Sequence, residues 1–163
     1  MRLFIAVQLS EEMRASLIES MHALKKLGVK GRYVPGRNLH LTLAFLGECP
    51  EASPAKAVLD GLKYKPFRLS LSQPGTFGDL LWIGLKGNQG LSALVRDLRA
   101  ALDKAGIEYD RKAFQPHITV VRELGGPWQK LPAPKGEMMV KKVSLMRSDL
   151  RDGKRVYTEL YSV

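Results

Sequence analysis

Apolar residues alternate with polar or small ones at Leu3, Ile5, Val7 and Leu9, the period of two that predicts a half-buried strand. The period then lengthens. Met13, Leu17, Met21 and Leu24 recur at helical spacing, with Ser10 as the N-cap and Glu11 and Glu12 in the first turn. Lys25 and Lys26 suit the last turn, and Gly28 suits the position just past the helix end. A short strand from Lys30 to Val34 leads through the turn Pro35-Gly36-Arg37-Asn38 into a strand over Leu39 to Leu46. Gly47 to Ala52 reads as loop, and Ser53-Pro54 as the N-cap and first residue of a short helix towards Leu62. Phe67, Leu69 and Leu71 alternate with Arg68, Ser70 and Ser72 as a further strand, and Pro74 to Asp79 reads as loop.

The pattern then begins again. Leu80 to Lys86 reads as a strand, and Leu91, Leu94, Val95, Leu98 and Leu102 trace a helix face that ends at Gly106. A short extended piece at Ile107 to Tyr109 precedes a strand over Pro116 to Arg122. One shift of 77 residues carries Leu3 to Leu80 and His40 to His117, and brings Gly28 within one residue of Gly106. The chain therefore holds two repeat units, roughly 1–47 and 80–124, within a single domain. Such a repeat predicts two pseudo-symmetric lobes whose motif strands face each other across a groove. Gly125 to Pro134 reads as a long loop, Met138 to Asp149 as a strand, Asp152-Gly153 as a hairpin turn and Val156 to Tyr161 as the last strand. The expected fold is α+β, bilobal, with two antiparallel sheets facing a central groove and helices packed outside.

The repeat carries chemistry. His40-Leu41-Thr42-Leu43 and His117-Ile118-Thr119-Val120 both read His, apolar, Thr, apolar. Alternation along a strand puts each imidazole beside its threonine hydroxyl, above an apolar face that can be buried. The chain has three histidines and four threonines, so the double occurrence is not a product of abundance. Two copies of an acid–base group are what phosphodiester chemistry needs. The third histidine, His22, lies in the first helix and takes no role.

Composition narrows the partner. With 45% hydrophobic and 26% charged residues the chain is of ordinary globular type, and 163 residues suit one domain or two small lobes. A net charge of +10 points to a polyanion, most simply nucleic acid. The single cysteine, Cys49, allows no internal disulfide and fits a reducing compartment. The apolar start runs straight into a helix pattern, unlike a signal peptide, and nothing reaches membrane-spanning length. A cytoplasmic monomer without membrane attachment or an obligatory protein partner is expected.

The stretch Asn38-Leu39-His40-Leu41-Thr42-Leu43-Ala44-Phe45-Leu46-Gly47, with Phe114-Gln115-Pro116-His117-Ile118-Thr119-Val120-Val121-Arg122, resembles the two-histidine phosphoesterases. Within them it is most similar to the RNA 2′,3′-cyclic phosphodiesterases, also called 2′-5′ RNA ligases. The likeness runs over nearly the whole chain. It implies a basic groove, metal-independent opening of RNA 2′,3′-cyclic phosphate ends to a 2′-phosphate, and no cofactor. Carried over residue by residue, the catalytic set is His40, Thr42, His117 and Thr119, and Arg122 matches the arginine after the family's second motif. Tyr33 stands where many relatives have Trp.

The residues fit that chemistry. Two imidazoles titrating near pH 6.5 can serve as base and acid at neutral pH, while Thr42 and Thr119 donate to phosphate oxygens. The motifs have no Asp, Glu or Cys at ligand spacing, so no metal is expected. Arg122 lies five residues after His117 and reaches the groove only if the strand ends or bulges near Val121. Its counterpart is Phe45, which offers an aromatic for apolar packing or base stacking. Arg32, Arg37, Arg111, Lys112 and Arg122 are the expected cations of the groove wall, with Tyr33 beside them. If Arg122 lowers the pKa of His117, His117 is the proton acceptor and His40 the proton donor. Two other readings stay open: strand joining to a 2′-5′ bond at the same site, and a non-catalytic RNA-binding module.

Overall fold

The computed structural model describes the whole chain, Met1–Val163. Its nine strands are β1 (Arg2–Gln8), β2 (Lys30–Tyr33), β3 (His40–Glu48), β4 (Phe67–Phe77), β5 (Leu80–Leu85), β6 (His117–Gly125), β7 (Glu137–Val140), β8 (Ser144–Arg151) and β9 (Lys154–Ser162). The helices are α1 (Glu11–Lys26), α2 (Ser53–Asp60) and α3 (Gln89–Lys104). Two antiparallel sheets result, ordered β3-β1-β8-β9 and β2-β6-β5-β4-β7. This is an α+β fold.

Each motif strand pairs with the strand that opens its own repeat unit, β3 with β1 and β6 with β5. The third strand of the first unit does not stay at home. β2 joins the other sheet, with Arg32 opposite Arg122 and Tyr33 opposite Val121, and the Val34 N–H donates to the Val120 carbonyl at 2.9 Å. The corresponding piece, Ile107–Tyr109, forms no strand, but the Asp110 N–H beside it donates to the Phe45 carbonyl of β3 at 2.9 Å. Each unit thus reaches across to the motif strand of the other, and these ties fix the two sheets together.

One face of each sheet is buried under the helices. Leu3, Ile5 and Val7 of β1, Leu41 and Leu43 of β3, Leu81 and Ile83 of β5, and Ile118 and Val120 of β6 belong to one buried cluster. Met13, Leu17 and Leu24 of α1 and Leu94 and Leu98 of α3 close it from outside. Each such side chain contributes about 1.5–3 kcal/mol by leaving water. The apolar half of each motif is therefore the anchor that leaves the His and Thr on the other face.

The caps recur with the repeat. The Ser10 hydroxyl accepts from the Met13 N–H, and the Asn88 side-chain oxygen accepts from the Leu91 N–H. Past the helix ends stand Gly28 at φ +86° and Gly106 at φ +70°. The Arg151-Asp152-Gly153-Lys154 turn has positive φ at both central residues, the twist that a two-residue hairpin requires.

Four local expectations change. Pro74 to Phe77 continues β4 rather than forming a loop, because Pro74 sits at a register shift where the ladder asks nothing of a missing N–H. Met138 to Asp149 is two strands in different sheets. Val140 and Val143 are both fully buried, a spacing of three that one alternating strand cannot provide. The short helix is capped at Ala52 and begins at Ser53, whose hydroxyl turns to Glu51, and it ends at Asp60. The segment 107–109 forms no strand, and the N–H that reaches β3 is that of Asp110 beside it.

A Cβ added at Gly28 or Gly106 would meet open space, so alanine there costs only left-handed backbone strain. Gly28→Ala and Gly106→Ala should each lose about 1–2 kcal/mol of stability. Chemical denaturation should show the midpoint falling with an unchanged slope.

Candidate active site

The groove face of each motif strand is set by one unpaired residue. On β3, Ile5 is opposite Ala44 and Ala6 opposite Thr42, which leaves Leu43 unopposed. On β6, Leu81 is opposite Val121 and Trp82 opposite Thr119, which leaves Val120 unopposed. These bulges lie 77 residues apart, like the histidines. Leu43 and Ala44 are both buried, as are Val120 and Val121, so alternation slips by one in each strand. Phe45 and Arg122 consequently return to the face that carries the imidazoles. The bulge that Arg122 needs is present.

Both rings are held the same way. His40 Nδ1 lies 2.7 Å from the Asn38 carbonyl, and His117 Nδ1 lies 2.7 Å from the Gln115 carbonyl. A carbonyl only accepts, so each Nδ1 carries the proton and each Nε2 is left for chemistry. His40 Nε2 is 2.9 Å from Thr42 Oγ1, whereas His117 Nε2 has no protein partner. Both histidines are half-buried.

Each imidazole stands among aromatic rings. His40 is 5.0 Å from Phe4 and edge-on to Tyr157 at 5.2 Å, and His117 is edge-on to Phe77 at 5.1 Å and 6.1 Å from Trp82. Burial lowers the pKa of His40 below its ordinary 6.5, the hydrogen bond to Asn38 opposes this, and the positive charges of Arg122 and His117 lower it further. The charge of Arg122 therefore bears on His40 across the groove. That removes the reason, drawn from chain order, for assigning His117 as the neutral ring. Arg122 itself enters no ion pair.

The other expected binding residues divide. Arg32 is opposite Arg122 on the groove face and pairs loosely with Glu123 at 3.6 Å, an exposed contact of little energetic weight. Phe45 is on the groove face too, but the Arg2 guanidinium covers its ring at 5.0 Å. Tyr33 is not brought to the groove. It is opposite Val121, on the core side, and its hydroxyl donates to the Val29 carbonyl at 2.7 Å beneath Lys25. Arg111 is engaged by Asp103 at 2.8 Å and by the Tyr109 ring, and Lys112 and Arg37 are exposed with no contact to either motif.

Phe4, Phe77, Trp82 and Tyr157 were missed from sequence. Phe4 has the parity of the groove face, which alternation along β1 could have supplied. Tyr157 carried no such signal, because it reaches His40 only through the curl of the first sheet. That curl is fastened where Asn38 Nδ2 donates to the Arg155 carbonyl at 3.1 Å. No three of His, Cys, Asp and Glu gather where they could hold a metal ion.

The 2′-5′ RNA ligase superfamily model matches residues 11–152. The chain belongs to that superfamily. An RNA 2′,3′-cyclic phosphodiesterase of Thermus thermophilus is 35% identical, with 98% of this chain and 88% of that protein covered. The enzyme of the same name from Escherichia coli is 33% identical over 98% of this chain and 93% of its own. The crystal structure of E. coli LigT complexed with 3′-AMP superposes with a TM-score of 0.81 at 33% identity, covering 99% of this chain and 95% of that one. The superfamily likeness thus spans both motifs and both sheets.

The lowered pKa of His40 has a consequence for folding. Below about pH 6.5 the unfolded chain takes up a proton that the folded ring resists. The contribution of His40 to stability is thus present above pH 6.5 and is lost as pH falls towards its folded pKa. His40→Gln should flatten the stability–pH curve in that window, measured by denaturation across pH.

Proposed function

We propose that the protein opens RNA 2′,3′-cyclic phosphate ends to 2′-phosphates, with His40 and His117 exchanging protons with the reacting oxygens. The observation that carries this reading is the matched pair of Nδ1–carbonyl bonds, which leaves two Nε2 atoms for proton transfer in one groove with an unpaired arginine. The names of the relatives support the substrate, and the +10 charge suits RNA.

In this reading the cyclic phosphate lies between the motifs, its non-bridging oxygens receiving hydrogen bonds from Thr42, Thr119 and the Arg122 guanidinium. His117 is the ring that water reaches, since its Nε2 is open and has no protein partner. Neutral His117 takes the water proton as oxygen attacks phosphorus. His40, sheltered beside Thr42, gives its proton to the departing 3′ oxygen. The bound phosphate anion meets the charge of Arg122 and favours the protonated form of His40. Strand joining to a 2′-5′ bond would use the same groups, with the 5′-hydroxyl of a second strand attacking the cyclic phosphate in place of water and the 3′ oxygen again taking the proton as it leaves.

Oligoribonucleotides ending in 2′,3′-cyclic phosphate should be opened in excess EDTA with a 2′-phosphate as product. His40→Ala and His117→Ala should each lose at least 10²–10⁴-fold in kcat, and Thr42→Val and Thr119→Val less. End-group analysis of the product checks the regiochemistry. Near-normal turnover in either histidine variant would sink the two-histidine mechanism.

A bell-shaped pH profile is the same whichever ring gives and whichever takes the proton, so leaving-group dependence assigns the roles. A nitrophenolate departs without protonation. On a nitrophenyl diester, His40→Ala should regain much of its lost rate while His117→Ala stays impaired. Rescue of His117→Ala instead would reverse the roles and make the lowered pKa of His40 decisive.

A further inference from the structure

The repeat makes the two sides of the groove alike in backbone but not in cover. Around His40 the aromatic surface is closed. Phe4 is 4% exposed, Tyr157 packs edge-on against it, and the guanidinium of Arg2 caps Phe45. Around His117 it is open. Phe77 is 42% exposed, the most exposed phenylalanine or tryptophan in the chain, yet its ring is 5.1 Å from the imidazole.

The open surface is built. Trp82 is opposite Thr119, hence on the groove face, and its indole lies flat along the sheet over Gly75 and Gly84. A Cβ at Gly75 would stand 2.4 Å from the indole and one at Gly84 3.2 Å. Two strands therefore leave out side chains where the ring lies. Phe77 leans on this indole at 5.2 Å and 48°, and stays 42% exposed beside the His117 ring. The Trp82 Nε1 is buried without a hydrogen-bond partner, so the indole serves here through its ring.

We infer that Phe77, held by Trp82, is the stacking platform for the nucleobase attached to the reacting ribose. This rests on the proposed reading of the site and adds where the base goes: to the side of His117, not of Phe45. An exposed ring face binds any base through its π surface, so purines are favoured modestly and no base is required.

Binding tests this apart from turnover. Adenosine 2′-phosphate and the base-free methyl riboside 2-phosphate are titrated into the intact protein by calorimetry, and base preference is the ratio of their affinities. Phe77→Ala should lower that ratio about tenfold or more, and Phe77→Trp should restore it. An unchanged ratio in Phe77→Ala, or equal losses for both ligands, would overturn the inference and leave Phe77 a packing neighbour of His117. If the wild-type protein shows the ratio but opens no cyclic phosphate, the proposed reaction fails while the platform stands.

Discussion

One unopposed residue in each motif strand decides what the groove contains. Without the bulges at Leu43 and Val120, alternation would send Phe45 and Arg122 into the layer beneath the helices. A buried guanidinium without a partner is too costly to hold there. With the bulges, the apolar pairs Leu43–Ala44 and Val120–Val121 stay inside and the next residue turns out. The core and the site are thus set by the same slip of register. The core demands two adjacent apolar residues, and the groove obtains its cation as a consequence.

The groove exists because the repeat units exchange a connection. β2 leaves its own unit to pair with β6, and Asp110 reaches back to β3. Both ties end on motif strands, close to the residues that matter. Sheets joined only through the apolar layer could slide. These backbone bonds fix the two motif strands relative to each other.

Sequence alone reveals most of this where period and spacing speak. Most of the strands, the long helices, the spacing of 77, the paired motifs and the need for the strand to end or bulge beside Arg122 can all be read along the chain. What cannot be read depends on contacts between distant segments. Pro74 and Gly75 signal a break, and only the register of β4 against β5 turns them into strand. Tyr33 precedes the motif in the chain, but membership of the second sheet turns it to the core side, opposite Val121. Arg111 has the charge expected of a groove wall, and Asp103 holds it. Position beside a motif is a weaker guide than the side of the strand on which a residue falls.

A duplicated site raises a difficulty that the fold resolves. Two histidines on like strands would stand in like surroundings, and theirs differ. The duplicated strands supply the sameness, with each Nδ1 at 2.7 Å from a carbonyl two residues back. Part of the difference comes from chain outside the repeat. β9 belongs to neither unit, and its Tyr157 covers His40, fastened by the bond from Asn38 to Arg155. Burial, the largest cause of the His40 shift, comes with packing against Phe4 of β1 and Tyr157 of β9. Beside His117 stands Phe77, 42% exposed, where the rings beside His40 are covered. The like strands provide two imidazoles in matched geometry, and the packing of Phe4 and Tyr157 against one of them sets their surroundings apart.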